Sequence, residues 1–339
     1  VLIKRILIVG FGSIGKRHLR LARSIFPNAN IRILLHREKD YIPDESNGVF
    51  YDIDSARNFS PQITVIANPA SFHIHTAKFL AKAGTHLLIE KPMSNSLVGV
   101  RQLIQTCKEK DLVLMIGYNL RFSKSLEQFR KLLNKKIIGK IYSVRCEVGQ
   151  YLPNWRPDKD YRKTVSALKS LGGGVLLELS HEIDYLRWIF GEISWVNASV
   201  SHQSNLDIDV EDLAHITFGF ELPNDKSRLI CNLSLDFFRH DSTRTCIAIG
   251  EKASLIWNGL TGEVKIYKKN STKWKTLFTH APDRDETYLL QWKNFITSIQ
   301  KKTLPNITGE DGLAALNIIN AIRKSSKNNK RVNFLNYKE

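Results

Sequence analysis

The chain has 339 residues, enough at about 150 residues per domain for roughly two hydrophobic cores. With 42% hydrophobic and 24% charged residues it reads as an ordinary globular protein, which excludes disordered, collagen-like and disulfide-scaffold classes. Lys and Arg number 50 against 33 Asp and Glu, and the resulting +17 raises nucleic acid, membrane surfaces and anionic metabolites as partners until the charge is located.

Short apolar runs at 6–9, 31–35, 63–67, 86–89 and 113–116 read as strands, and helix-period segments at 14–26, 73–83 and 97–110 lie between several of them. Near-continuous apolar strands alternating with helices indicate a parallel sheet covered on both faces, the doubly wound α/β pattern. From about residue 120 the texture changes. A basic amphipathic helix at 123–134 leads into strand-rich segments near 141–151, 193–203, 212–220, 228–238, 243–249, 253–257 and 263–267, interrupted by a strong helix at 177–190. Strands with segregated helices indicate an α+β domain on a mostly antiparallel open sheet. Helices at 286–300 and 309–324 precede a basic, Asn-rich tail. The expected division is therefore a dinucleotide-binding domain over 1–120, an α+β domain over 121–325 and a mobile tail over 326–339.

No apolar run approaches the eighteen or so residues of a membrane span, and the early run at 6–12 is too short for a signal-peptide core. Cys107, Cys146, Cys231 and Cys246 lie far apart with no CxxC, which suggests neither a zinc site nor a disulfide framework. A reducing, cytoplasmic setting without membrane association is expected.

Gly10-Phe11-Gly12-Ser13-Ile14-Gly15 follows a predicted strand and opens a predicted helix, the setting a dinucleotide fingerprint requires. Gly10 permits the tight turn, Gly12 lets backbone approach a pyrophosphate, and Gly15 allows close helix–strand packing. The anion would sit on free amides at the helix N-terminus, beside Ser13 and Ile14. Lys16, Arg17 and His18 follow, where positive charge costs about 0.3–1 kcal/mol each unless an anion compensates; as readily, they are solvated side chains. At the end of the second strand, where a carboxylate would grip the ribose of NAD, the sequence has His36 and Arg37. Arg37 can pair with a 2′-phosphate, which favours NADP, or stack on adenine, which serves either cofactor.

Glu90-Lys91-Pro92 projects from the carboxyl end of a predicted strand, where open α/β sheets place their ligands. Together with the glycine turn, Asn68-Pro69, Gly117-Tyr118-Asn119 and Gly172-Gly173-Gly174, it resembles the glucose-fructose oxidoreductase / inositol dehydrogenase / rhizopine-catabolism family of nicotinamide-dependent sugar oxidoreductases, from residue 4 to about 325. The resemblance implies an N-terminal Rossmann domain and a C-terminal domain whose open sheet often mediates oligomerisation, hence a homo-oligomer, dimer or tetramer. It implies that Lys91 orients substrate and cofactor, and that His181, on the first long helix of the second domain, exchanges the proton. Asn68 and Pro69 correspond to a loop beside the nicotinamide ribose, Glu90 belongs to the same cofactor edge, and Asn119 and Arg121 border the cleft, although Arg121 reads almost equally well as a surface arginine. The family commonly has an acidic residue four positions before the histidine. Here Leu177 holds that place and Glu178 stands three before, so the acid is shifted by one residue or its role is lost.

Read without the family, Glu178, His181 and Asp184 are spaced i, i+3, i+6 on a predicted helix, where neighbouring members can meet. A carboxylate beside an imidazole raises its basicity and orients its ring, as a general base near neutral pH needs. An ordinary surface ion pair gives the same spacing. Glu178-x-x-His181 also imitates half of a di-iron site, but no second copy accompanies it, so no metal is expected. The aromatic, basic stretch at 151–162 suits a sugar ring and an acidic group. Tyr151, Trp155, Arg156 and Arg162 are its candidate substrate contacts, with domain packing as the other reading. It is similar to a subgroup associated with surface-polysaccharide and nonulosonic-acid sugars.

The expected function is an NAD(P)-dependent oxidoreductase moving a hydride between a sugar-type carbinol carbon and the nicotinamide, with NADP favoured. His181 would move the hydroxyl proton while Lys91 steadies the same oxygen. The rivals are redox-neutral glycoside cleavage with tightly held NAD, a non-catalytic NAD(P)-binding regulator suggested by Leu177, and nucleic-acid binding. The last rests on charge alone, with no recognised DNA- or RNA-binding signature. Residues 1–120 carry 16 basic and 9 acidic side chains, so the surplus is spread over both parts. Several lysine clusters read as solvated faces, whereas Lys16, Arg17, Arg37, Lys91, Arg156 and Arg162 fall in motifs predicted to line one cleft. That arrangement points to an anionic cofactor and an acidic or phosphorylated sugar.

Overall fold

The computed structural model describes residues 2–36, 43–221, 228–281, 283 and 285–334. They form two compact units, one of Val1–Tyr118, Ser170–Gly172 and Leu289–Leu316, the other of Asn119–Lys169, Gly173–Tyr288 and Asn317–Glu339.

The first unit is built on a parallel sheet of β1 (Arg5–Val9), β2 (Asn30–Leu34), β3 (Val49–Phe50), β4 (Ile63–Ile66), β5 (His86–Ile89) and β6 (Leu114–Ile116), in the order β3-β2-β1-β4-β5-β6. Ile6 to Val9 and Ile63 to Ile66 are buried throughout, as strands covered on both faces must be. Helices α1 (Ser13–Ile25), α2 (Ile53–Asn58), α3 (His73–Lys82) and α4 (Val100–Glu109) connect the strands. The sheet grows in opposite directions from β1, through β2 on one side and β4 on the other, so the turn after β1 opens at the switch point where such sheets bind ligands. The short β3 and α2 have no periodic sequence signal; α2 forms because the Asp52 carboxylate caps it, accepting from Ser55 N at 2.7 Å.

The second unit carries β7 (Ile141–Gly149), β8 (Ile193–Ser201), β9 (Leu213–Glu221), β10 (Arg228–Asp236), β11 (Thr243–Gly250), β12 (Ala253–Asn258), β13 (Glu263–Lys268), β14 (Lys275–Thr279) and β15 (Val332–Asn333). They run β14-β13-β12-β11-β7-β10-β9-β8-β15, and among the described residues only the β7–β10 pair of this sheet is parallel. Helix α5 (Lys124–Asn134) packs through Ser125, whose Oγ accepts from Trp257 Nε1 at 2.9 Å, and Tyr185 of α7 (His181–Phe190) meets the same Trp257 edge-on. The doubly wound sheet and the mostly antiparallel second sheet expected from the sequence are both present.

Three expectations change. The helix read over 177–190 is two pieces, α6 (Val175–Glu178) and α7, because Leu179 leaves helical geometry at φ −101°, ψ 28°. The second unit is not continuous over 121–325, because α8 (Glu286–Lys301) and the start of α9 (Gly309–Asn328) lend apolar surface to the first unit. There Trp292 is fully buried beside Phe26, and Thr308 bridges Met115. Nor is the stretch after 325 all tail. Helix α9 continues to Asn328, Ser325 Oγ accepts from Ala198 N, and Val332 pairs with Val196 at the sheet edge. Residues 335–339 lie outside the described residues. Among the described residues no helix is long and apolar enough to cross a membrane.

Candidate active site

The turn after β1 meets the steric demands of a dinucleotide fingerprint. Gly10 has φ +88°, and a Cβ there would lie 2.7 Å from Asn68 N, so only glycine fits. A Cβ on Gly15 would collide with the Gly10 carbonyl oxygen, which fixes how closely α1 approaches β1. A Cβ on Gly12 would meet nothing within 4 Å, so that face of the turn is open to a ligand. Helix α1 starts at Ser13 and Ile14 with no side-chain cap and no acid in its first turn, leaving its N–H groups to an anion. Beside it lies an open pocket of about 400 Å³ whose wall includes Phe11, Ser13, Lys16, Arg17 and Arg20, with Lys16 Nζ 5.2 Å over the Phe11 ring. These residues fit a nicotinamide dinucleotide: amides for the pyrophosphate, and cations around it. His18 departs from the expectation of a solvated or anion-facing group, since it is fully buried.

The other strand ends of this unit supply the rest of its edge. His36 is exposed and packs at 5.9 Å on the Phe72 ring; Arg37 lies outside the described residues. Asn68 is buried and Pro69 half-buried after β4. His73, 1% exposed, approaches two backbone carbonyls, Asn68 O at 2.7 Å through Nε2 and Pro92 O at 3.0 Å through Nδ1. Burial pushes the His73 pKa down, opposed by those carbonyls and by the Glu90 charge. Glu90 is buried after β5; its Oε1 lies 2.8 Å from His18 Nε2 and its Oε2 accepts from Lys91 N at 3.3 Å. Trp292 Nε1 donates to His18 Nδ1 at 3.1 Å. Lys91 itself is half-buried.

In the second unit, Asn119 and Arg121 occupy a turn before α5. Asn119 Nδ2 donates to Thr287 Oγ1 at 2.8 Å. Arg121 is buried and grips Asp184 through Nε at 2.8 Å and Nη2 at 2.6 Å, which corrects both its reading as a surface residue and the grouping of Asp184 with His181. Glu178 ends α6 and His181 begins α7, both half-buried, so the break at 179–180 and not a continuous helical face sets their relation. Leu177, at the family's acidic position, is 2% exposed in the core. Glu182, the residue after His181, is fully buried with Arg244 Nε 2.9 Å from its Oε1, which ties the first turn of α7 to β11.

The stretch after β7 is a chain of short turns. Tyr151 contacts His240 with the rings tilted and their centroids 4.7 Å apart, and Trp155 meets Phe237 edge-on at 5.2 Å while its Nε1 donates to Gln150 O. Arg156 is half-buried beside Trp155 and Tyr161. Arg162 does not hold its fork ready for a ligand: Asp160 accepts from its Nε at 2.9 Å and its Nη2 at 3.0 Å, and Asp207 lies 3.7 Å away. The pair holds Asp160 below its ordinary pKa and Arg162 above it.

Sequence reading missed three contributors. His240 lies in the turn between β10 and β11, 89 positions from Tyr151, and no local pattern joins them. Trp292 has no motif around it. His73 opens α3 four residues after Pro69, and its position right after the Asn-Pro turn is a signal that was available.

Two family profiles cover most of the chain: the oxidoreductase family's NAD-binding Rossmann fold matches residues 4–118, and its C-terminal alpha/beta domain matches residues 130–334. Levoglucosan dehydrogenase of Pseudarthrobacter phenanthrenivorans is 33% identical over 138 residues, 40% of this chain and 35% of that protein. Myo-inositol 2-dehydrogenase of Thermotoga maritima is 25% identical over 97% of this chain and 98% of its own length. Among solved structures, the WlbA dehydrogenase of Bordetella pertussis in complex with NADH and UDP-GlcNAcA superimposes with a TM-score of 0.79 at 20% identity, covering 98% of this chain and 99% of that one. Matched over both of its parts, the chain belongs to the glucose-fructose oxidoreductase / inositol dehydrogenase / rhizopine-catabolism family and is an NAD-binding oxidoreductase.

Proposed function

We propose that this oxidoreductase moves a hydride between its nicotinamide cofactor and a hydroxyl-bearing carbon of a sugar, sugar acid or nucleotide sugar. The observation that carries the reading is the placement of Lys91 on the carboxyl edge of the same sheet whose β1 ends in the open glycine turn. The nicotinamide supplies the redox chemistry and the protein supplies orientation and charge. Lys91 steadies the oxygen on which negative charge develops, and His181 takes or returns its proton. Glu178 is the one candidate for the acid that Leu177 does not provide. Gly10, Gly12, Ser13, Ile14 and Gly15 hold the pyrophosphate, and Asn68, Pro69 and Glu90 line the nicotinamide side.

NADP over NAD is supported by the absence of a carboxylate at His36-Arg37. An acidic sugar, as in surface-polysaccharide or nonulosonic-acid metabolism, is supported by Arg156 beside Trp155 and Tyr161 and by the UDP-GlcNAcA that the Bordetella relative holds. Asn119 completes the set of substrate contacts. A cytoplasmic homo-oligomer is the accompanying expectation.

The test is a panel of sugars, uronates and nucleotide sugars followed by nicotinamide absorbance with each cofactor. Lys91→Ala and His181→Ala should each lower turnover at least about a hundredfold, the low end for acid–base catalysis, with cofactor binding retained. Near-normal turnover in both variants overturns the assignment; tight cofactor binding with no turnover of any sugar favours the regulator.

A further inference from the structure

Lys91 lies between two residues that are each held by a buried histidine. On its N-terminal side, Glu90 is gripped by His18. Indole N–H only donates, so His18 Nδ1 accepts from Trp292, and Nε2 therefore carries the proton that goes to Glu90 Oε1. The other carboxylate oxygen, Oε2, accepts from the Lys91 amide, and a Cβ on Gly117 would lie 3.0 Å from that oxygen, so the carboxylate is walled in. On the C-terminal side, the Pro92 carbonyl faces His73 Nδ1 at 3.0 Å, while His73 Nε2 faces the Asn68 carbonyl at 2.7 Å. Both oxygens only accept and a neutral imidazole has one N–H, so the neutral ring donates to one of the two carbonyls and packs against the other, and only the imidazolium bonds both; in either form the ring sits between the segment after β5 and the segment after the neighbouring β4.

A lysine side chain has four rotatable carbons and delivers its ammonium to one point only if its backbone is fixed. We infer that His73 and His18 are positioning residues that set the place of Lys91, His73 through the Pro92 carbonyl and His18 through the Glu90 carboxylate. The inference rests on the reading of Lys91 as a catalytic residue for its consequence in turnover, but not for the geometry itself. His73 touches neither substrate nor cofactor in this account; it acts through Lys91.

The two nitrogens of His73 can be tested separately. In His73→Asn the side-chain amide nitrogen can take the place of Nδ1 and donate to the Pro92 carbonyl; in His73→Gln it can take the place of Nε2 and donate to the Asn68 carbonyl only. Lys91 is read without turnover, by its acylation rate with an amine-reactive ester in the folded, cofactor-loaded protein, followed by peptide mass spectrometry. His73→Gln should change that rate by at least about threefold and lower kcat at least about tenfold with the cofactor Kd within about twofold, since small misplacements of a reacting group have effects of this size. His73→Asn should restore both. Trp292→Phe, which removes the donor behind His18, should also change Lys91 labelling. Equal labelling in the Asn and Gln variants overturns the inference for His73, and labelling unchanged by Trp292→Phe overturns it for His18. If labelling behaves as expected while Lys91→Ala turns over normally, the positioning stands and the catalytic reading of Lys91 fails.

Discussion

Arg121 and Asp184 form a bidentate ion pair in which the two side chains are only 6% and 2% exposed. The pair ties the turn before α5 to the first turns of α7, the helix that begins at His181. Trp188 of α7 adds to it, with the Arg121 guanidinium 5.9 Å and that of Arg130 4.3 Å from its ring. Burial, then the neighbouring Arg121, pushes the Arg130 pKa down. Removing one member of a buried pair leaves an uncompensated charge, so Asp184→Ala should lower unfolding stability by about 3–5 kcal/mol in urea titration. Replacing both, Arg121→Met with Asp184→Leu, should cost less than Asp184→Ala alone, because apolar groups of similar volume need no counter-charge. A double variant as unstable as the sum of the singles would contradict this account.

The glycines of the phosphate turn should separate folding from binding. Gly15→Ala places a methyl against the Gly10 carbonyl and should destabilise by about 1–3 kcal/mol, the usual range for overpacking. Gly12→Ala meets open space, so its stability loss should stay within about 1 kcal/mol, that of a weaker N-cap. Its methyl would stand where the pyrophosphate approaches, and NADH affinity by fluorescence titration should fall at least about tenfold. Undiminished affinity in Gly12→Ala would place the cofactor elsewhere.

The two glycine variants concern a feature that was fully legible in the sequence, because a strand, a turn and a helix start are contiguous. Apart from β3, β14 and β15, which the sequence reading did not find, the strands of both sheets were legible for the same reason: each run of alternating or continuous apolar residues reports its own burial. What escaped depends on contacts between distant positions. Arg121 lies 63 residues from Asp184, and nothing near either one tells that the carboxylate is taken. The break between α6 and α7 is invisible to apolar periodicity, since Leu177 before it and Ile183 after it are both buried. Trp292 and Phe295 have the spacing of any amphipathic helix, and periodicity does not say which core they fill. Cys146 and Cys246, 100 positions apart, turn out to be register partners on β7 and β11, yet both remain buried free thiols.

His18 should be a neutral ring protonated on Nε2, because Trp292 occupies Nδ1 with a donor and Glu90 offers Nε2 only acceptors. Nitrogen-15 NMR of histidine-labelled protein reads the tautomer directly. In Trp292→Phe the indole donor is lost and a buried acceptor is left unmade, so stability should drop by about 1–3 kcal/mol. A wild-type ring protonated on Nδ1 would be incompatible with this hydrogen-bond chain.

Glu286 gives a pH-dependent prediction with a definite sign. It starts α8, where the helix dipole favours a carboxylate. It pairs with Lys124 and lies 2.6 Å from His280 Nε2. The Lys124 contact first, then His280, hold its carboxyl below the ordinary value of 4.5. A carboxylate whose pKa is depressed by folding stabilises the fold above its unfolded pKa, and that contribution is lost as pH falls through the folded value. The side chain is 24% exposed, so solvent screening keeps the contribution within about 1 kcal/mol. Glu286→Gln should therefore be less stable than the parent at neutral pH by at most about that amount, and the difference should close as pH falls below 4.5. Added salt should shrink the gap at neutral pH, since the pair is partly open to solvent. A gap that widens on acidification would mean that Glu286 is not held in its charged form by Lys124 and His280.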